Sequence, residues 1–200
     1  MIPTIFAAGA GLIIFLFLFW KRLKEDYSSE IIFKSAFNII IGIALGWLIS
    51  FKLIPGAFLW LSFAGALLGL GFATHRQNVR FYESLEALTL AALPWVSFIF
   101  LKDSVIYSTP SSFFAFLATL VFIFIYYYFD QHYKNFTWYK SGKIGFSGLA
   151  TLGIVFLVRS AIAISGIPMI SFLSGYEAVG SALAAFICFG LIFNLGRKTK

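Results

Sequence analysis

Arg159 stands in the apolar run Leu152-Gly153-Ile154-Val155-Phe156-Leu157-Val158-Arg159, and the next acid along the chain is Glu177. An arginine at the centre of a membrane span costs about 2.5–3.5 kcal/mol on insertion scales, so its depth and its partner decide what it does. Its planar fork suits the oxygens of a phosphate or of a carboxylate. Two readings follow: a lipid phosphate bound near the headgroup level, or an ion pair with Glu177 across the Gly166-Ile167-Pro168 turn.

The other reactive side chains carry plainer expectations. Glu83 and Glu86 lie close in sequence to Arg76 and Arg80, as acids that open a helix and pair with neighbouring arginines. His75 and His132 have no Cys, Asp or Glu at metal-ligand spacing around them, so no metal site is expected and no cofactor is called for. The single cysteine, Cys188, sits in an apolar run and excludes an intrachain disulfide. Asn38, Tyr107, Ser108 and Thr109 have the chemistry to hydrogen-bond a lipid headgroup, or a neighbouring helix and a helix start.

The elements that must position these groups are membrane helices. Sixty per cent of the residues are hydrophobic, 12% are charged and the mean hydropathy is +0.93, far from a soluble domain. The expected architecture is an all-α, seven-transmembrane-helix bundle forming one integral membrane domain over residues 1–200, with spans at about 2–20, 31–51, 57–73, 83–101, 111–129, 144–164 and 176–195. The first run has no basic n-region and no small-residue cleavage site, and is expected to be retained. Pro94 is expected to kink the fourth span, and Thr109-Pro110-Ser111 to start the fifth. Gly65, Gly69 and Gly71, with Ala64 and Ala66, give the third span a small-residue face that a helix or lipid chain can approach closely.

Orientation follows from the basic residues. Lys21, Arg22, Lys24, Arg76, Arg80, Lys134, Lys140, Lys143, Arg197, Lys198 and Lys200 fall in the odd loops and the C-terminal tail, against Lys52 and Lys102 in the even loops. The positive-inside rule then puts the N-terminus outside and the C-terminus in the cytoplasm. The net charge of +7 is accounted for by that topology and by anionic headgroups, so no nucleic-acid partner is expected.

The chain also resembles the prolipoprotein diacylglyceryl transferase family of the bacterial inner (plasma) membrane. Leu61-Ser62-Phe63-Ala64-Gly65-Ala66-Leu67-Leu68-Gly69 is similar to that family's Ser-Phe-His-Gly-Gly-Leu-Leu-Gly segment, and the basic loop with Phe81-Tyr82 and Glu86 to its Arg-rich loop, aromatic pair and Asp. Ser108-Thr109-Pro110-Ser111-Ser112-Phe113-Phe114 is similar to its His-Pro-Ser-Gln-Leu-Tyr-Glu start of the fifth span. Gly142 and Gly153 match the approach to the sixth span and its Tyr-Gly-Leu-Leu-Arg-Phe motif. The departures fall on the chemistry: Ala64 takes the place of the motif His, Thr109 of the His before Pro, and Phe156 of the sixth-span Arg. Gly46-Trp47-Leu48-Ile49 stands for Gly-Ala-Arg-Leu, and the Gly-Arg-x-Gly-Asn-Phe signature is missing.

What the resemblance implies is transfer of a diacylglyceryl group from phosphatidylglycerol to a lipobox cysteine thiol, with a prolipoprotein signal peptide as second partner. Arg159 would bind the phosphate of phosphatidylglycerol or another anionic phospholipid. Ala64, Gly65, Gly69, Asn38, Thr109, Ser111 and Phe156 would line a cleft opening outward and sideways into the bilayer. No residue is assigned to the thiol proton. Two alternatives stand beside this: a catalytically degenerate relative that binds lipid or a membrane partner, and a small membrane transporter, for which an ionisable pair near the midplane would be the mark.

Overall fold

The computed structural model describes residues 2–136, 139, 144–166, 172 and 175–197. Within them the chain forms seven long helices: α1 (Ile2–Leu23), α2 (Ser29–Leu53), α3 (Phe58–Gln77), α4 (Phe81–Tyr107), α5 (Pro110–His132), α6 (Phe146–Ile164) and α7 (Glu177–Arg197). Short 3₁₀ turns precede α3 (Pro55–Ala57) and follow α5 (Tyr133–Asn135). Six of the seven, α2 to α7, are long and apolar enough to cross a bilayer, and the described residues hold no strand. The protein is an all-α, multi-pass membrane protein. Many large apolar side chains point outward, Leu68, Phe124 and Phe186 among them, as befits helices whose solvent is hydrocarbon.

α4 is the axis of the bundle. It packs against α1, α3, α5 and α6, and from Glu83 to Ala91 every residue is buried. Phe15 and Phe19 of α1, Leu85, Leu88 and Ala91 of α4, and Phe146 and Leu149 of α6 belong to the main core. The helix runs on through Pro94 to Tyr107, beyond the expected end near residue 101, and so carries Lys102 and Asp103 within it.

Two hairpins flank this axis. α6 packs against α7, and α2 against α3 in the most intimate contact of the fold. A methyl group added at Gly42 would meet the carbonyl of Gly65, and one at Gly65 the carbonyl of Gly42; Gly46 is closed in the same way by Leu61. At Gly69 an added Cβ would lie 2.5 Å from the carbonyl oxygen of Asn38. The expected small-residue face therefore packs on a helix, and that helix brings glycines of its own, the arrangement by which membrane helices gain dispersion energy where no hydrophobic effect drives them together.

Candidate functional site

The charged side chains gather at the two ends of the bundle. At the end where α6 finishes and α7 begins, Arg159 reaches across to Glu177: Nε donates to Glu177 Oε1 at 3.0 Å and Nη2 to the same oxygen at 2.6 Å. Ser181, one turn further along α7, donates to Oε1 at 2.8 Å, and the indole Nε1 of Trp60, from the start of α3, donates to Oε2 at 2.8 Å. Both ionic side chains are enclosed, 13% and 3% exposed, which leaves the carboxylate dressed by protein donors in place of water. The guanidinium also lies over the ring of Phe172, 5.0 Å from its centroid. Of the two readings open in the sequence, the ion pair is formed, and α3, α6 and α7 are tied together by it.

Phe156 lies one turn below Arg159 on α6. Its ring stacks on Trp60 at 5.5 Å and meets Phe63 edge-on at 5.3 Å. An aromatic plug therefore fills the space one turn below the guanidinium.

Thr109 and Ser111 belong to the same end of the bundle, at the corner between α4 and α5. Thr109 is the N-cap of α5 and Pro110 its first residue, as the sequence predicts, but the hydroxyls bond elsewhere than to free amides. Thr109 donates to Asp103 Oδ2 at 3.2 Å and Ser112 to the same oxygen at 2.5 Å. Asp103 is buried and its helix can extend past 101 because these two hydroxyls satisfy it.

The remaining expected cleft residues lie elsewhere. Gly65 and Gly69 are closed by α2, and Ala64 is exposed on the far side of α3. Asn38 lies at the opposite, basic end of the α2–α3 hairpin. Asn38 and Gly69 thus meet within the α2–α3 contact, Thr109 and Ser111 lie at the α4–α5 corner, and Phe156 lies beside Arg159 on α6.

At the basic end, Glu83 pairs with Arg80 at 2.9 Å, as expected, and also accepts the Tyr27 hydroxyl at 2.7 Å. The Arg80 amide donates to that hydroxyl in turn at 3.0 Å, so Tyr27 clasps the α1–α2 loop to the α3–α4 loop. Burial, with the Glu83 carboxylate beside it, pushes the Tyr27 phenol above its ordinary value. Glu86 departs from expectation. It turns from Arg76 and Arg80 and accepts the Gly145 amide at 2.8 Å, while Arg22 of α1 stands 3.4 Å from it and 2.9 Å from Asp130 of α5. The sequence separations explain why no local pattern reveals it. His75 is exposed and His132 half-buried, and no cluster of three or more metal-ligating side chains occurs among the described residues.

No family model, curated protein or solved structure matches the chain.

Proposed function

We propose that the protein is a lipid-binding relative of the prolipoprotein diacylglyceryl transferases that has kept the seven-span scaffold, N-terminus outside and C-terminus in the cytoplasm of a bacterial inner membrane, without the transfer reaction. The observation that carries this is the state of Arg159. A transferase needs a cation free to meet the phosphate that leaves, and a group to take the thiol proton. Here Phe156 fills the family's Arg position, Ala64 and Thr109 fill its His positions, and Arg159 is joined to Glu177 at 2.6 Å. A guanidinium so neutralised offers an incoming phosphate much less than a free one would.

The test is mass spectrometry on purified protein given phosphatidylglycerol and a lipobox peptide, with an active transferase alongside to certify the peptide. The expected result is co-purified phospholipid and no diacylglyceryl mass on the peptide. A peptide that gains that mass overturns the proposal.

A second reading has one observation in its favour, the carboxylate held against the cation. In an active enzyme Glu177 would take the proton of the lipobox thiol and the sulfur would form a thioether bond to the terminal glycerol carbon. Glycerol phosphate would leave with the electron pair of the broken C–O bond, its charge met by Arg159. Transfer that is present in the native protein and lost in a folded Glu177→Gln variant would establish it.

A further inference from the structure

A groove of about 220 Å³ opens at the basic end of the α2–α3 hairpin, lined by Lys34, Phe37 and Asn38 of α2 and by Phe72, Arg76 and Gln77 of α3. Its lining is sorted by chemistry. Lys34 and Arg76 supply two cations, Asn38 and Gln77 two amides, and Phe37 and Phe72, both largely exposed, two rings. Lys34 is paired at 2.6 Å with Glu30, an exposed pair one helical turn apart that an anionic ligand can exchange. Arg76 lies over the Phe72 ring, 5.7 Å from its centroid. The side-chain oxygen of Gln77 is buried and has no hydrogen-bond partner among the described residues. A buried acceptor left unpaired costs free energy, so a ligand that donates to it is favoured over one that does not.

We infer that this groove binds the headgroup of an anionic phospholipid from the leaflet on the basic side, its phosphate between Lys34 and Arg76, a headgroup hydroxyl or ammonium donating to Gln77, and its acyl chains along Phe37 and Phe72. Two cations at headgroup depth beside exposed rings match the two halves of a phospholipid; a soluble phosphate would have no use for the rings. The site rests on the lipid-binding reading and names the lipid class, yet it lies at the other end of the bundle from Arg159. Among the described residues Glu30 is the acid paired with a lining cation; Asp26, Tyr27, Asn78 and Arg80 line a second cavity of about 290 Å³.

Native mass spectrometry of the delipidated full chain tests it, with phosphatidylglycerol, phosphatidic acid and phosphatidylcholine as probes and free glycerol phosphate as competitor. Phosphatidylglycerol should bind best, phosphatidic acid less well because it lacks the donating hydroxyls, and phosphatidylcholine least. Lys34→Gln with Arg76→Gln should weaken phosphatidylglycerol by about thirtyfold, the order expected for two basic residues near an anionic surface. Gln77→Leu should cost phosphatidylglycerol roughly fivefold and leave phosphatidic acid unchanged, as loss of one hydrogen bond would. Lys34 and Arg76 are exposed, so an unchanged melting temperature will certify folding. Native affinity in the double variant overturns the groove while lipid binding itself stands. Failure of the native protein to hold any phospholipid sinks both. Displacement of phosphatidylglycerol by an equal concentration of glycerol phosphate overturns the lipid in favour of a soluble phosphate.

Discussion

At the scale of single residues, Arg159 and Glu177 are an enclosed pair with shared donors, and such pairs are costly to break and cheap to replace. Removing one partner leaves the other as an uncompensated buried charge, so Arg159→Gln or Glu177→Gln should each lower stability by about 3–5 kcal/mol in a detergent unfolding assay. The combined variant should cost well under the sum, and full additivity would show that the two act apart. Tyr27 is a milder case. Tyr27→Phe deletes a hydroxyl that donates to Glu83 and accepts from the Arg80 amide, and should cost about 1 kcal/mol. Burial raises the phenol above its ordinary value, so this contribution is complete at neutral pH. It is lost as the pH rises past the ordinary tyrosine value near 10 and through the raised folded one. The stability gap between native protein and Tyr27→Phe should therefore shrink at high pH and hold steady from pH 6 to 9. The sequence made both readings of Arg159 legible, because an arginine in an apolar run has few options. Trp60 and Ser181 were not legible as its companions, since nothing in their own surroundings marks them as donors to a distant carboxylate.

At the scale of elements, the glycines of α2 and α3 predict the strongest response. Gly65→Leu would drive a side chain into the Gly42 carbonyl, and an overpacked contact of this kind costs typically about 1–3 kcal/mol or more where backbone must move. Gly71, with nothing near its missing Cβ, is the control: Gly71→Ala should be neutral or slightly stabilising. Equal melting temperatures for Gly65→Leu and the native protein would show that the hairpin is not packed through this face. Hydropathy located these helices well because every residue in a span contributes to it. It misplaced the end of α4 because Asp103 reads as a loop residue until Ser112 and Thr109 are known to satisfy it. It also misassigned Glu86, whose carboxylate meets an amide and a guanidinium from helices far away in sequence.

At the scale of the whole molecule, the positive-inside rule applied to the basic residues predicts one orientation, and reporter fusions test it. Fusions after Lys24, Arg80, Lys140 and Lys200 should report cytoplasm and those after Lys52 and Lys102 the outside; a cytoplasmic report at Lys102 would undo the seven-span topology. The two kinds of helix contact also differ in when they can form. α2 and α3 are neighbours in the chain and close on each other as soon as both have left the ribosome. α1 packs instead on α4, and its Arg22 is bonded to Asp130, which lies 108 residues further on. At the roughly 5–20 residues per second of synthesis, that partner arrives on the order of 5 to 20 seconds later. α1 therefore waits for α4 before it has its main packing partner, and Arg22 waits longer still, for α5, before its pair with Asp130 can close.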